Sequence, residues 1–268
     1  MSKIKEKFTE LERKNQKALI SYIMVGFPNE KTTLSAVRGL VKGGVDIIEL
    51  GFPFSDPLAD GPVIQNASMI SLEKGTKVNK FFSLVKKIRK ETDIPLVLMT
   101  YTNILYHKGY SKFITDAKKA GIDGFILPDM SIEESKEYID AAKGKVDTIF
   151  LISPNTAKRR IDKISKISTG FLYLVAVYGT TGVKTEIKNY TLEAIKEVKK
   201  QTKGKISIGV GFGVSTPDDV KKYINAGADA VIVGSAYLKL IEKIPQNRLE
   251  SKISSLTKSL KKQTILKQ

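Results

Sequence analysis

KISIGVGFGVSTPDDVKKYINAGADAVIVGSAYL, residues 205–238, is the stretch that decides the fold. It holds two short β-rich runs, at 205–211 and 229–235. Between them lies STPDDVKKYINAG, residues 215–227. A Ser or Thr opens this segment as an N-cap, Pro217 follows in the first turn with acids after it, and Gly227 closes it. That is the grammar of one helix. A strand, a helix and a second strand in so few residues make a crossover unit, and such a crossover joins parallel strands.

Working outward, the same alternation covers the chain. Six more runs read as strands: ALISYIMVG at 18–26, VDIIELG at 45–51, IPLVLMTY at 94–101, DGFILPD at 123–129, DTIFLIS at 147–153 and FLYLVAVY at 171–178. Most are nearly continuous in Val, Ile, Leu and Phe, as expected of parallel strands covered on both faces. Amphipathic segments such as TTLSAVRGLVKGG at 32–44 and SKFITDAKKAG at 111–121 fall between them. Five of the seven intervals between strand starts are 24 to 29 residues, room for one strand, two loops and one helix. The 49-residue interval after the second strand has room for two helices, near 65–74 and 77–91.

Eight such units favour closure into an α/β fold of the (β/α)8 TIM-barrel type, which typically takes ~250 residues. An open doubly wound sheet is the alternative, but the early G-x-G-x-x-G turn usual there is absent after the first strand. Residues 2–14 read as an N-terminal helix over the barrel floor, and 246–263 as the last outer helix. Extra helices are expected after strand two and at strand eight, where Gly234-Ser235 opens a short one. No linker, repeat or low-complexity segment stands out, so residues 1–268 are expected to form one domain.

Composition narrows the chemistry. There is no cysteine, which rules out disulfides, thiolate metal ligands and a Cys nucleophile. The one histidine, His107, lies in TNILYHKGY, read as a polar loop, so a multi-His metal site is excluded and no metal is expected. The N-terminus lacks the apolar core of a signal peptide, and no apolar run approaches the ~20 residues of a membrane span. A cytoplasmic protein without membrane contact is expected. Lys plus Arg number 45 against 28 acids, a formal net charge of +17. Only six of these cations are arginines, and scattered lysines suit a solvated surface better than a nucleic-acid face. A basic barrel that binds nucleic acid, or only activates another subunit, is the non-enzymatic alternative.

Barrel active sites lie at the C-terminal ends of the strands. There the second strand carries Glu49 within IIEL and runs into GFPFSDPLADGP, residues 51–62, with Asp56, Asp60 and three prolines that stiffen the loop. A carboxylate inside an apolar run points to a desolvated group fit for proton transfer; a strand-end surface Glu with turn aspartates is the plain alternative. Late in the chain, YGTTGVKT at 178–185, GVGFGVSTP at 209–217 and VGSAYL at 233–238 are glycine-rich. Consecutive barrel loops of this kind, with a short helix, make a phosphate cradle. The strand runs offer no inward lysine for an imine, since Lys205 lies at the wrong end of its strand. Carboxylate acid–base chemistry on a phosphorylated substrate remains. Tyr22, Tyr101, Tyr173 and Phe212 at or near strand ends could line an aromatic pocket or simply pack the barrel mouth.

The ordered set ELGFPFSDPLADGPVIQNAS (49–68), PLVLMTYTN (95–103), ILPD (126–129), TTG (180–182), GFGVSTP (211–217) and VGSA (233–236) resembles the tryptophan synthase α-subunit family and spans residues 18 to 236 with the first strand. The resemblance implies a lyase that cleaves indole-3-glycerol phosphate to indole and glyceraldehyde 3-phosphate. It implies no cofactor in this chain. Carried over by motif, Glu49 would be the general acid–base, Asp60 would accept the indole N–H, and Tyr173 would position Glu49 or the substrate. Tyr22, Met99 and Tyr101 would line the indole pocket. Gly182, Gly211, Phe212, Gly213, Gly234 and Ser235 would cradle the phosphate, and Thr181 would orient Asp60 from a closing lid. The family works with a pyridoxal-phosphate β subunit, in an α2β2 assembly that receives the indole; residues 53–60 and 178–188 would face it. The chain departs from the family pattern at Tyr22, where Phe is common, and in the lid at Thr180, with Tyr178 and Lys184 beside it. Another phosphate-binding barrel enzyme of the same route is the enzymatic rival; it would share the late glycines but lack SDPLADGP.

Overall fold

The computed structural model describes residues 1–176 and 189–266. Tyr178, Thr180, Thr181, Gly182 and Lys184 lie outside the described residues. The strands are β1 (Ala18–Met24), β2 (Ile47–Gly51), β3 (Leu96–Met99), β4 (Gly124–Ile126), β5 (Asp147–Ile149), β6 (Leu151–Ile152), β7 (Phe171–Val175), β8 (Ser207–Gly211) and β9 (Ala230–Val233). They pair in parallel in the order β5-β4-β3-β2-β1-β9-β8-β7-β6. The first and last strands of the chain are therefore neighbours. The two ends of that order, β5 and β6, are consecutive in sequence across Phe150. The ring thus comes round on itself within one run of chain, and the architecture is the expected TIM barrel.

That run corrects one expectation. DTIFLIS is two short strands, not one, because its first half pairs with β4 and its second half with β7. The other strands are shorter than their apolar runs. Β-structure stops at Met24, for example, and Gly26 turns the chain in the left-handed region.

Burial explains why the runs are apolar on both faces. Ile20, Ile48, Leu98 and Val231 are fully buried, and each side chain of this kind is worth roughly 1.5–3 kcal/mol when removed from water. Around the strands lie α1 (Lys3–Arg13), α2 (Glu30–Gly43), α3 (Pro62–Glu73), α4 (Val78–Glu91), α5 (Thr102–Lys108), α6 (Tyr110–Ala120), α7 (Lys136–Ala142), α8 (Lys158–Ile167), α9 (Asn189–Thr202), α10 (Pro217–Asn225), α11 (Ser235–Lys243) and α12 (Gln246–Lys261). The N-terminal helix α1, the paired extra helices α3 and α4, and α11 after the last strand all match the reading. Thr216 caps α10 through a reciprocal capping box with Asp219. The α1 helix does cover the floor: Ile4 is fully buried and Phe8 packs on Phe171 at 6.0 Å between ring centroids. His107 is exposed as expected, but it stands in the last turn of α5 rather than in a loop.

No repeat is visible at the scale of whole segments, yet a three-residue step recurs ahead of the strands: Gly44-Val45-Asp46, Gly121-Ile122-Asp123, Lys145-Val146-Asp147 and Gly227-Ala228-Asp229. Three of these aspartates clip the floor. Asp46 accepts the Leu19 N–H at 2.7 Å, Asp123 that of Leu96 at 3.0 Å, and Asp229 that of Ile208 at 3.1 Å. Each also holds a cation: Lys261, Arg89, or Lys17 with Lys199. With the floor tied down in this way, the opposite end of the strands is free to carry chemistry. Among the described residues no helix is long and apolar enough to cross a membrane.

Candidate active site

Parallel register puts Tyr22 of β1 level with Glu49 of β2, and Glu49 level with Val97 of β3. Neighbours at one level project to one side of the sheet, so Tyr22 and Glu49 share a face. Two residues on, Gly51 lies under the Tyr22 ring. A Cβ at position 51 would fall 2.2 Å from the Tyr22 hydroxyl oxygen, so only glycine leaves room for that phenol. The far side of the barrel repeats the device: a Cβ at Gly211 would fall 2.2 Å from the Tyr173 hydroxyl oxygen. Gly211 therefore first makes space for Tyr173, besides any contact with a ligand.

Glu49 is 1% exposed, and its Oε2 has no hydrogen-bond partner. Loss of water, and then the negative charge of Asp60, push its pKa up to about 8. Asp60 is 4% exposed at the end of the loop that follows β2. Burial raises it to about 6, against the opposing effect of a hydrogen bond from Tyr101. That bond runs from the Tyr101 hydroxyl to Asp60 Oδ2 at 3.1 Å, while Oδ1 has no partner. The phenols of Tyr22 and Tyr173 are held well above their usual range, by burial first and then by the charges of Asp60 and Glu49. Two acids and two phenols thus form one electrostatic cluster in the mouth.

The loop holding Asp60 is fastened at several points. Ser68 of α3 both donates to the Phe54 carbonyl and accepts the Phe54 N–H, each at 2.8 Å. Gln65 donates to the Asp60 carbonyl at 2.8 Å. The Ala59 N–H donates to the Tyr101 hydroxyl at 3.0 Å, and Phe54 stacks on Tyr101 at 4.9 Å. Tyr101, read as pocket lining, is thus also the hinge pin between Asp60 and its loop. Nothing local announces this, since the partners lie 41 residues apart. Ser68 and Gln65 were within the quoted motif, but their spacing on a helix gave no hint of what they would face. Asp56, by contrast, is exposed and bonded to Ser55.

The late loops also converge. Phe212 stands at φ 70°, in the left-handed region, beside Gly213 at φ 79°. For a bulky residue such backbone costs on the order of 1–3 kcal/mol and persists where the surroundings hold it. Here the Tyr173 ring packs edge-on against Phe212 at 5.8 Å. Gly234 precedes α11, which begins at Ser235 with no side-chain cap on its first-turn N–H groups. Met99, buried on β3, pairs in register with Gly51. Of the predicted site residues, Glu49, Asp60, Tyr22, Tyr101 and Tyr173 are drawn together by shared contacts or fields. Thr181 and Gly182 fall outside the described residues. Among the described residues, no group of three or more His, Asp or Glu could hold a metal ion.

Tyr101→Phe tests the pin. Loss of the donor should raise the pKa of Asp60 above about 6, because that hydrogen bond now lowers it. A lost hydrogen bond to a charged group costs about 1.5–3 kcal/mol, so turnover per encounter should drop about tenfold or more. A pH series of kcat/KM checks both; an acid limb that stays in place would show that Tyr101 does not set the Asp60 charge.

A parallel barrel with two buried carboxylates of unequal, raised pKa at its C-terminal mouth is a proton-transfer enzyme of the TIM-barrel class. The particular family follows from comparison with known proteins. The profile of the tryptophan synthase alpha chain family matches residues 8–267. A tryptophan synthase alpha chain from Methanosarcina barkeri is 44% identical over 97% of this chain and 98% of its own. Tryptophan synthase from Mycobacterium tuberculosis superposes with a TM-score of 0.87 at 31% identity, covering 99% of both chains. A tryptophan synthase complex from Pyrococcus furiosus gives 0.84 at 34% identity, covering 92% of this chain and 98% of the other. The chain belongs to the tryptophan synthase alpha chain family, lyases of tryptophan biosynthesis.

Proposed function

We propose that Glu49 and Asp60 carry out the cleavage of indole-3-glycerol phosphate in the mouth of this barrel, the chain acting as one domain over residues 1–268. The observation that supports this most is the pairing of two buried carboxylates with separated pKa values, about 8 and about 6. Between those values one is protonated and the other ionised. Glu49 then gives its proton to C3 of the indole ring. Asp60 accepts the ring N–H and stabilises the positive charge that C3 protonation creates. Glu49, now ionised, takes the proton of the side-chain hydroxyl. The carbon–carbon bond breaks, its electrons restore the indole, and the hydroxyl carbon leaves as the aldehyde of glyceraldehyde 3-phosphate. The ring serves as its own electron sink, so the step draws on no cofactor in this chain.

Tyr173 positions Glu49 in this reading, and Tyr22, Met99 and Tyr101 line the ring pocket. Gly211, Phe212, Gly213, Gly234 and Ser235 take the phosphate together with Gly182, and Thr181 orients Asp60. The partner is a tryptophan synthase β subunit, which holds pyridoxal phosphate, in an α2β2 assembly in the cytoplasm. The test is release of indole from indole-3-glycerol phosphate by the purified chain, alone and with a β subunit. Weak activity alone and stimulation by the partner are expected. No indole under either condition would overturn the reaction, and indole without stimulation would overturn the partnership.

A further inference from the structure

The end of the barrel opposite the mouth contains a cavity of about 880 Å³, within the size range of small-molecule sites. Its walls come from α1 and from the turns that lead into β7 and β8. Six lysines line it: Lys5, Lys17, Lys166, Lys199, Lys203 and Lys205. Lys17 and Lys199 are engaged with Asp229. Among the described residues, the other four have no carboxylate within ion-pair distance. The neighbourhood is more basic still. Residues 157–166 and 196–205 each hold five cations against one acid, so these two segments supply nearly half of the net +17.

The acids on the walls are Glu12, Asp147, Asp162 and Asp229. Asp229 is neutralised by its two lysines, and Asp162 accepts a hydrogen bond from Gln201 at 3.0 Å. Asp147 differs. It is the fourth of the recurring floor aspartates, and the one without a cation or a clipped N–H. It is 6% exposed, and its Oδ2 has no partner. A buried carboxylate oxygen left unpaired costs about 1–3 kcal/mol or more, so it favours a ligand that brings it a donor.

The two halves of the cavity select against simple ions. An inorganic polyanion satisfies the lysines and offers Asp147 nothing. A bare cation satisfies Asp147 and is repelled by the lysines. A nucleoside polyphosphate satisfies both: it carries phosphates, and it carries ribose hydroxyl and base amine donors. Its base also has a surface to lie on, because the half-buried Phe8 ring forms part of the wall. We propose that this floor cavity binds a nucleoside polyphosphate, with its phosphates on Lys166, Lys203 and Lys205 and its nucleoside donors on Asp147.

The test is calorimetric titration of the full chain with adenosine triphosphate, set beside inorganic triphosphate. One saturable site is expected, tighter for the nucleotide, with affinity that falls as salt screens the lysines. Lys203→Ala with Lys205→Ala should weaken both ligands about tenfold or more, at unchanged indole release. Asp147→Asn should weaken the nucleotide severalfold and leave inorganic triphosphate no weaker. Absence of saturable binding at millimolar nucleotide would overturn the proposal. So would equal affinity for inorganic triphosphate, or affinity indifferent to the lysine pair. Should Asp147→Asn fail to fold, the exposed lysine pair and the triphosphate comparison decide the question. None of these outcomes depends on the chemistry at the mouth.

Discussion

Glu49→Gln should abolish indole release, with kcat lower by at least about 10²–10⁴-fold, the range expected for loss of a general acid–base. The variant keeps the shape of the side chain and removes the proton it exchanges. No neighbour can replace it: Tyr22 and Tyr173 are held well above the usual phenol range, and Asp60 is the more acidic carboxyl. The fold should survive and even gain. Folded Glu49 holds its proton up to about 8, against 4.5 for the free side chain. The folded state therefore binds the proton more tightly than the unfolded chain. Its contribution to stability is intact below 4.5 and falls as pH climbs toward 8. Glutamine has no such dependence. Melting curves of the variant should lie above those of the parent at pH 8–9 and converge toward them near pH 4. Near-normal turnover would remove Glu49 from the mechanism, and a pH-independent difference in melting would contradict its burial as an acid.

The barrel was legible because its strands are buried on both faces, and that condition writes itself into sequence as continuous Val, Ile and Leu. Glu49 was legible in part: an acid inside IIEL is either buried or a surface residue at a strand end, and the fold leaves it 1% exposed. What stayed hidden was set by closure and by distance. DTIFLIS carries no mark of its break at Phe150, since the break arises where the two ends of a curved sheet meet. The Tyr101 hydroxyl joins Asp60 across 41 residues, which no local pattern records. Gly51 read as the end of a strand run, with no sign that its lack of a Cβ makes room for the Tyr22 phenol. The floor aspartates lay inside the strand runs at 45–51, 123–129, 147–153 and 229–235, where nothing marked three of them as clipping a strand and holding a cation. His107 went to a helix because TNILYHK is too short to show a period.

Charge was the least legible feature. Lysines scattered in sequence suggested a solvated surface, and for much of the chain that description serves. Folding, however, brings Lys5, Lys166, Lys203 and Lys205 from three distant segments around one cavity. A count by sequence position cannot show such convergence.

Asp60→Asn is expected to lower kcat/KM by about 10²-fold, and its pH profile should say why. On the proposed mechanism, cleavage in the parent needs Asp60 ionised and Glu49 protonated. Activity should rise with an apparent pKa of about 6 and fall with one of about 8, a bell whose limbs belong to the coupled pair. Asparagine keeps the size of the side chain and can still accept a hydrogen bond from the ring N–H. It cannot stabilise a positive ring, and that charge interaction is where the rate is lost. With no acid at position 60, the acid limb at about 6 should vanish. The alkaline limb should also move, because the negative charge of Asp60 is one of the two causes holding Glu49 up. Without it, Glu49 loses its proton more readily and the limb shifts to lower pH. Tyr101→Phe makes the contrast, since it should move the acid limb upward while Asp60 remains. An Asp60→Asn enzyme that keeps an acid limb near pH 6 would assign that ionisation elsewhere, and an alkaline limb unmoved from about 8 would show that the two carboxylates do not share one field.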